Sequence, residues 1–454
     1  MTEKTIAAIS TPSGEGGIGV IRISGSDAVK VADRVFSAKN TSKKLSDLKG
    51  YTALFGDVIF GGKKIDEAVA LVFKAPKSYT GEDVVEISVH GGMYVMRETL
   101  RAILSSGAQE AKPGEFTMRA FKHGKLDLIE AESVMGLISA HGEKAHRAAL
   151  SLHDGAVSQK INKIKEGLIT AAAGLAVFTD YPDDELPEFS EETLLTSLNI
   201  AKEGLEELLK NFDKGKMLRE GIDAVIAGRP NVGKSTLMNL LCRTRRSIVT
   251  SIAGTTRDVV EETVTLGDVK LRLSDTAGLR DTDDTVEKIG VDMSRERITT
   301  AGLVIAVFDG SSEASEEDKK LIEICKSRPS VVVINKTDLE TKIDKGLFEG
   351  MKVIEICAES EDALTKLEPS IVEVCALNQL DGNEIFLCSE RQRQSADNSL
   401  KSVIEAIELM CSGLTLDAVG IVIDDAIAHI LTLTGERVTE AVVDEVFSKF
   451  CVGK

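Results

Sequence analysis

Residues 228–235 read "GRPNVGKS", a G-x-x-x-x-G-K-[ST] stretch that restricts the surrounding fold more than any other feature of the chain. It follows an apolar run, "IDAVIAG" (222–228), and opens a helical pattern, "STLMNLL" (235–241). A strand feeding such a loop into a helix is the context in which this motif holds nucleotide phosphates. Its glycines let backbone N–H groups approach the phosphates at the positive end of a helix dipole. Lys234 supplies a point charge to the β- and γ-phosphates, and Ser235 offers an oxygen to Mg²⁺. Asn231, Val232, Gly233 and Thr236 complete the cradle.

Two further motifs follow in order. "DTAG" (275–278) ends a predicted strand, "VKLRLSD" (269–275). Asp275 can hold Mg²⁺ through water, the Gly278 amide can meet the γ-phosphate, and Thr276 and Ala277 lie between them. "NKTD" (335–338) ends "VVVINK" (331–336). Asp338, behind Asn335 and Lys336, would accept two hydrogen bonds from the edge of guanine. Adenine lacks those donors and would leave a buried carboxylate unpaired, which rejects it strongly. "ICAES" (356–360) offers a backbone contact to the base at Ala358, flanked by Cys357 and Glu359. With "LVIAVFD" (303–309) and "KVIEICA" (352–358), these runs alternate with helical patterns. That grammar predicts a mostly parallel sheet covered on both faces, with its ligand at the carboxyl ends of the strands. The three motifs together imply GTP. A separate G-x-G-x-x-G match, "GEGGIG" (14–19), precedes a strand, "VIRIS" (20–24), and so lacks the helix a dinucleotide site needs.

The expected fold class is α/β plus all-α. Residues 1–120 alternate strands, among them 67–73 and 83–89, with a helix at 92–104, and read as a mixed α/β domain. Over 121–216 the period becomes helical. Val157, Ile161, Ile164, Leu168, Ala172 and Leu175 make one apolar stripe, and Leu194, Leu198, Ala201, Leu205, Leu208 and Leu209 a second. The α/β grammar of the motifs occupies 217–379, and helical patterning returns over 380–454, including 400–410 and 418–433. The simplest architecture inserts the nucleotide domain into a helical domain made of 121–216 and 380–454.

The formal net charge of −18, with no long Lys/Arg block, leaves any nucleic-acid contact local or assisted by a partner. Seven cysteines form no Cys-x-x-Cys pair, which points to reduced thiols and a cytoplasmic protein. Neither a signal peptide nor an apolar run long enough for a membrane span is expected. His141, His146 and His153 do not share an i, i+4 face, so no zinc site is expected there.

Leu279, directly after the sensor motif, cannot orient an attacking water. Two substitutes are visible. Asn231 can ligate a monovalent cation that neutralises charge developing between the phosphates. Alternatively, an acid among Asp281, Asp283, Asp284 and Glu287 can orient the water, although ordinary solvation is the commoner reason for any single acid in such a segment.

The chain resembles the MnmE (TrmE) family of tRNA modification GTPases along essentially its whole length. The stretches that carry the resemblance include "TPSGEGGIGVIRISG", "SYTGEDVVEISVHGG", "KPGEFTMRAFKHGKLDLIEAE", "LREGIDAVIAGRPNVGKSTLMNLL", "IVTSIAGTTRD", "DTAGLRDTDDTVEKIG" and "FCVGK". The resemblance implies a K⁺ ion held by Asn231, Thr250, Ile252 and Thr255, within a loop (Thr250, Ser251, Ile252, Ala253, Gly254, Thr255, Thr256) that closes on GTP. It places Thr256 with Ser235 on Mg²⁺ and makes Glu287 the water-orienting acid. It implies a tetrahydrofolate derivative, 5-formyl- or methylene-tetrahydrofolate, bound by an aminomethyltransferase-like N-terminal fold through Arg22, Glu86, Lys125 and Lys454. Cys451 becomes a candidate catalytic thiol. The implied assembly is a homodimer with the flavoprotein MnmG (GidA), acting on C5 of the wobble uridine of certain tRNAs with no membrane involved. Two stretches depart from the family pattern, "ICAES" at the base loop and "CSERQRQ" (388–394). The alternative function is a regulatory GTPase of ribosome assembly without modification chemistry.

Overall fold

Alternating burial shapes the N-terminal sheet. Its strands are β1 (Ile6–Ile9), β2 (Ile18–Ser24), β3 (Phe36–Ala38), β4 (Thr52–Phe60), β5 (Lys63–Phe73), β6 (Val84–His90) and β7 (Gln109–Glu110). They form one sheet in the order β3-β4-β5-β6-β2-β1-β7, antiparallel except for β1 with β7. Ile21 and Ile23 of β2, Ala70 and Val72 of β5 and Val85 and Ile87 of β6 point to one face. There they pack with helices α1 (Ala28–Asp33) and α2 (Met93–Ser105), through Val31, Met96 and Ile103. The strands β1, β3, β4, β7 and, below, β9 were not among those predicted.

This computed structural model describes all residues except 1–2, 13, 40, 181–189, 245–260, 268, 275–297, 299–300, 361, 376–385 and 414. The chain divides into two compact units. The first comprises 1–135, 152–205 and 394–454, and the second 136–151 and 206–393.

The first unit also holds the helical layer. After α3 (Glu115–Lys122) come α4 (Leu128–Ser139), α5 (Glu143–His153), α6 (Ala156–Asp180) and α7 (Glu191–Lys210), of which the last turns of α4 and α7 and all but the last two residues of α5 belong to the second unit. On α6 the buried stripe is Val157, Ile161, Ile164, Leu168, Ala171 and Leu175. Ala171 replaces the expected Ala172, which is only half-buried. At 3.6 residues per turn, Leu168 and Leu175 are bridged as well by a three-then-four step as by four-then-three, and α6 takes the first.

The second unit begins with α8 (Phe212–Glu220) and β8 (Ile222–Ala227), followed by α9 (Lys234–Thr244), β9 (Glu261–Leu266), β10 (Val269–Ser274), β11 (Leu303–Asp309), α10 (Glu316–Lys326), β12 (Ser330–Asn335), β13 (Lys352–Glu355) and α11 (Ala363–Val374). The strand order is β13-β12-β11-β8-β10-β9, parallel throughout except for β9 against β10. Strand β12 is buried at every position and β11 at all but its last, which is why both read as unbroken apolar runs. Because β8, β11, β12 and β13 are parallel, their carboxyl ends share one edge of the sheet, where ligands bind in such folds.

The chain then continues through α12 (Glu390–Cys411), α13 (Leu416–Thr434) and α14 (Glu440–Ser448). In the first unit α13 packs along α6. The rings of Phe447 and Phe450 lie 5.2 Å apart, tilted by 46°, in a core with Leu128, Val134 and Val443. No described helix is long and apolar enough to cross a membrane. The fold class is thus α/β plus all-α, with a mostly parallel sheet in the nucleotide-motif region.

Candidate active site

The strand β8 ends at Ala227 and the chain turns through 228–233 into α9. Asn231 adopts φ 63°, a left-handed conformation that asparagine tolerates better than most residues. Gly233 has φ +102°, and a Cβ there would lie 2.1 Å from Nδ2 of Asn335. No side chain fits, so glycine is required by contact as well as by backbone angle. Lys234 begins α9 and its Nζ donates to the carbonyls of Gly228 and Arg229, at 2.8 and 2.7 Å. The ammonium therefore lies across the loop. Ser235 and Thr236 follow in the first turn of α9, where the helix has backbone N–H groups without intrahelical partners. Val232 is buried and serves packing.

The base motif meets this loop directly. Asn335, buried at the end of β12, donates from Nδ2 to the carbonyl of Val232 at 2.9 Å. Its Oδ1 accepts from the amide of Ala358 at 2.9 Å. One side chain thus ties the phosphate loop to the base loop. Lys336 follows with φ 63°, and Asp338 is exposed at the same edge of the sheet. Ala358 is buried between the half-buried Cys357 and the exposed Glu359. Asn335, Val232, Gly233, Lys234 and Ala358 are brought together. Thr250, Ser251, Ile252, Ala253, Gly254, Thr255, Thr256, Asp275, Thr276, Ala277, Gly278 and Glu287 lie outside the described residues.

A second cluster forms on the N-terminal sheet. Arg22 and Glu86 are cross-strand partners on β2 and β6, and Nε of Arg22 donates to Oε1 of Glu86 at 2.8 Å. The guanidinium lies 5.5 Å from the ring centroid of Tyr79 and 5.6 Å from that of Phe116, both within cation–π range. Burial holds the Tyr79 phenol above its ordinary range, although its bond to Thr117 and the Arg22 charge oppose this. The segment 451–454 closes the cluster. The carbonyl of Gly453 accepts from Oγ of Ser10 at 3.1 Å and from Nη1 of Arg22 at 3.4 Å. The amide of Phe116 donates to the Lys454 carbonyl at 3.1 Å, and that of Gly114 to the Cys451 carbonyl at 3.3 Å. Burial, reinforced by the Arg22 charge, holds the Lys454 ammonium below the usual lysine range, against the pull of Glu86 and Cys451. Cys451 itself is exposed. Lys125 is exposed and donates to the carbonyl of Pro76 at 3.4 Å, touching the loop after β5 rather than the Arg22–Glu86 pair.

The donor set suits a flat heterocycle bearing amide donors and an anionic tail: a carboxylate for the donors, two cations and two rings. Tyr79, Phe116 and Gly453 were not singled out from the sequence. Only the aromatic character of 79 and 116 hinted at them.

Gly453 carries a prediction. It has φ +93°, and a Cβ there would sit 2.4 Å from the Ile9 carbonyl. Gly453→Ala is expected to unseat the 451–454 segment and cost about 1–3 kcal/mol, the range for forced overpacking. Thermal unfolding and amide exchange at Phe116 and Gly114 check this. Unchanged melting with unchanged exchange contradicts it.

The family model for the MnmE helical domain matches residues 128–451, and that for the GTP-binding protein TrmE N-terminus matches 5–125. The tRNA modification GTPase MnmE of Alkaliphilus oremlandii is 39% identical over 459 aligned positions, covering 100% of this chain and 99% of that protein. The chain belongs to the MnmE family of tRNA modification GTPases. Another member, from Lactococcus lactis subsp. lactis, is 40% identical and covers 99% of this chain and 98% of its own length. The G domain of the T. maritima FeoB iron transporter overlays 34% of this chain and 98% of its own at 26% identity, with a TM-score of 0.26. Membership of the MnmE family, with the motif-bearing sheet edge, makes this chain a GTP hydrolase.

Proposed function

We propose that the chain is the GTPase component of a complex that adds an aminomethyl-type (carboxymethylaminomethyl) group to C5 of the wobble uridine of certain tRNAs. The observation that carries this reading is the cluster of Arg22, Glu86 and Lys454 beside Tyr79, in the same chain as a nucleotide-motif sheet. A ribosome-assembly switch has no evident use for such a cluster. Its ligand, in this reading, is a tetrahydrofolate derivative, which supplies the one-carbon unit when bound. Glu86 accepts from the heterocycle, Arg22 and Lys454 hold the anionic tail, Lys125 guards the approach and Cys451 offers a thiol.

In the nucleotide domain, Lys234 neutralises phosphate charge, Asp338 reads guanine and Glu287 orients the water. Ser235 and Thr256 hold Mg²⁺. Asn231, exposed in the phosphate loop, holds K⁺ with Thr250, Ile252 and Thr255. The assembly is cytoplasmic, with two copies of this chain and the flavoprotein MnmG. Exposed apolar residues support the pairing of copies. Phe55 is 50% and Val69 43% exposed, they are cross-strand partners, and Val69 points away from the face that Ala70 and Val72 bury. The domain limits 1–120, 121–216, 217–379 and 380–454 belong to the same proposal.

The test is the modified-nucleoside profile of bulk tRNA from a strain lacking this gene, with and without the gene restored. The expected result is loss of the C5 substituent at the wobble uridine and its return on complementation. An unchanged profile rejects the reading and favours the ribosome-assembly switch.

A further inference from the structure

The turn after β11 lies outside all three nucleotide motifs, yet it grips the base-reading segment from both sides. Lys336, a non-glycine residue at φ 63°, needs surroundings that impose that conformation. Asp309, the last residue of β11, supplies one restraint, since its Oδ2 accepts from Nζ of Lys336 at 2.6 Å. The pair is only 33% and 15% exposed at its side chains, so water screens it less than a surface pair. The other carboxylate oxygen is also fixed, by the amide and hydroxyl of Ser311 at 2.9 and 2.6 Å.

Gly310 adds backbone ties. Its amide donates to the Asn335 carbonyl at 2.8 Å, just before Lys336. Its carbonyl accepts from the amides of Lys342 and Ile343, at 2.8 and 3.3 Å, just after the motif. Further along the same segment, Asp318 is buried and its Oδ1 accepts from Nε of Arg229 in the phosphate loop at 3.0 Å. Residues 309–318 therefore brace Asn335–Asp338 at each flank and touch the phosphate loop as well.

We propose that Asp309 is a positioning residue for guanine selectivity, holding Lys336 and the adjoining turn so that Asp338 meets the base edge. This rests on the reading of Asp338 as the guanine reader. The charge-assisted bond matters because asparagine, of the same size, keeps a hydrogen bond to Lys336 but loses the charge.

The test uses the full-length protein and competition against a fluorescent guanine nucleotide. Dissociation constants are measured for GDP and for IDP, which lacks the exocyclic amine, alongside the thermal midpoint. In Asp309→Asn the GDP constant is expected to rise about tenfold, as for loss of the charge assistance that makes such a bond roughly twice as strong as a neutral one. The IDP constant should rise less, so that the preference for GDP over IDP falls. Asp309→Glu should restore part of that preference. Ser311→Ala, which frees one carboxylate oxygen without touching the motif, should lower it by a smaller factor. Ser311→Ala also keeps the proposal testable if Asp309→Asn does not fold. A merely structural role lowers the thermal midpoint and leaves the GDP-to-IDP ratio at the wild-type value, and that result overturns the proposal. A wild-type protein with no preference for GDP over IDP overturns the reading of Asp338 itself, which separates the two failures.

Discussion

Glu287→Ala is expected to keep guanine-nucleotide affinity and lose hydrolysis by about 10²–10³-fold, the scale of removing one preorganised group from a transition state. Leu279 is the residue after the sensor glycine and has no polar atom with which to hold water. Hydrolysis then needs an orienting group from elsewhere and a charge to offset what builds up between the phosphates. The proposal divides these tasks between Glu287 and a K⁺ ion at Asn231. Asn231 stands exposed in the phosphate loop in a left-handed conformation. Single-turnover cleavage measured in K⁺ and in Na⁺ tests both assignments. Wild-type protein should slow sharply in Na⁺, and the variant should be slow in both salts. A variant that cleaves at the wild-type rate removes Glu287 from the mechanism, and equal wild-type rates in the two salts remove the ion.

Asp338→Asn is expected to weaken GTP about 10²-fold and to make xanthosine triphosphate a substrate. A carboxylate accepts from the ring N–H and exocyclic amine of guanine, whereas an amide can donate to the carbonyl that replaces that amine in xanthine. Sites built to pair a polar group reject the mismatched analogue by roughly 10⁴–10⁵ when fully buried. Asp338 is exposed in this chain, so water can partly solvate the mismatch and the smaller factor is expected. Steady-state hydrolysis of both nucleotides decides it. GTP turnover at an unchanged KM, with no xanthosine triphosphate activity, means that base recognition lies elsewhere.

The two candidate sites differed in how much the sequence disclosed. The nucleotide edge was legible because buried parallel strands write continuous apolar runs and their motifs stand at the strand ends, as in "VVVINK". Strand β9 escaped because an edge strand such as "EETVTL" carries polar residues in place of such a run. The other four N-terminal strands were missed for a related reason: β1, β3 and β7 are at most four residues long, and glycine interrupts the longer β4 at Gly56. The grip of Asp309 on Lys336 was invisible, since "DGSS" at a strand end reads as an ordinary turn. The Arg22 cluster was legible only through family resemblance. Its members come from positions 22, 79, 86, 116 and 453–454, and no local periodicity links residues separated by 431 positions, as Arg22 and Gly453 are.

That separation bears on how the molecule is made. During synthesis the N-terminal sheet leaves the ribosome hundreds of residues before the segment that seats against Ile9 and Ser10. The Arg22–Glu86 pair forms within the sheet, but the Gly453 carbonyl that Arg22 also reaches arrives only with the last residues. Loss of only the last few codons would therefore leave the nucleotide edge encoded in full and remove the carbonyl that Arg22 and Ser10 donate to.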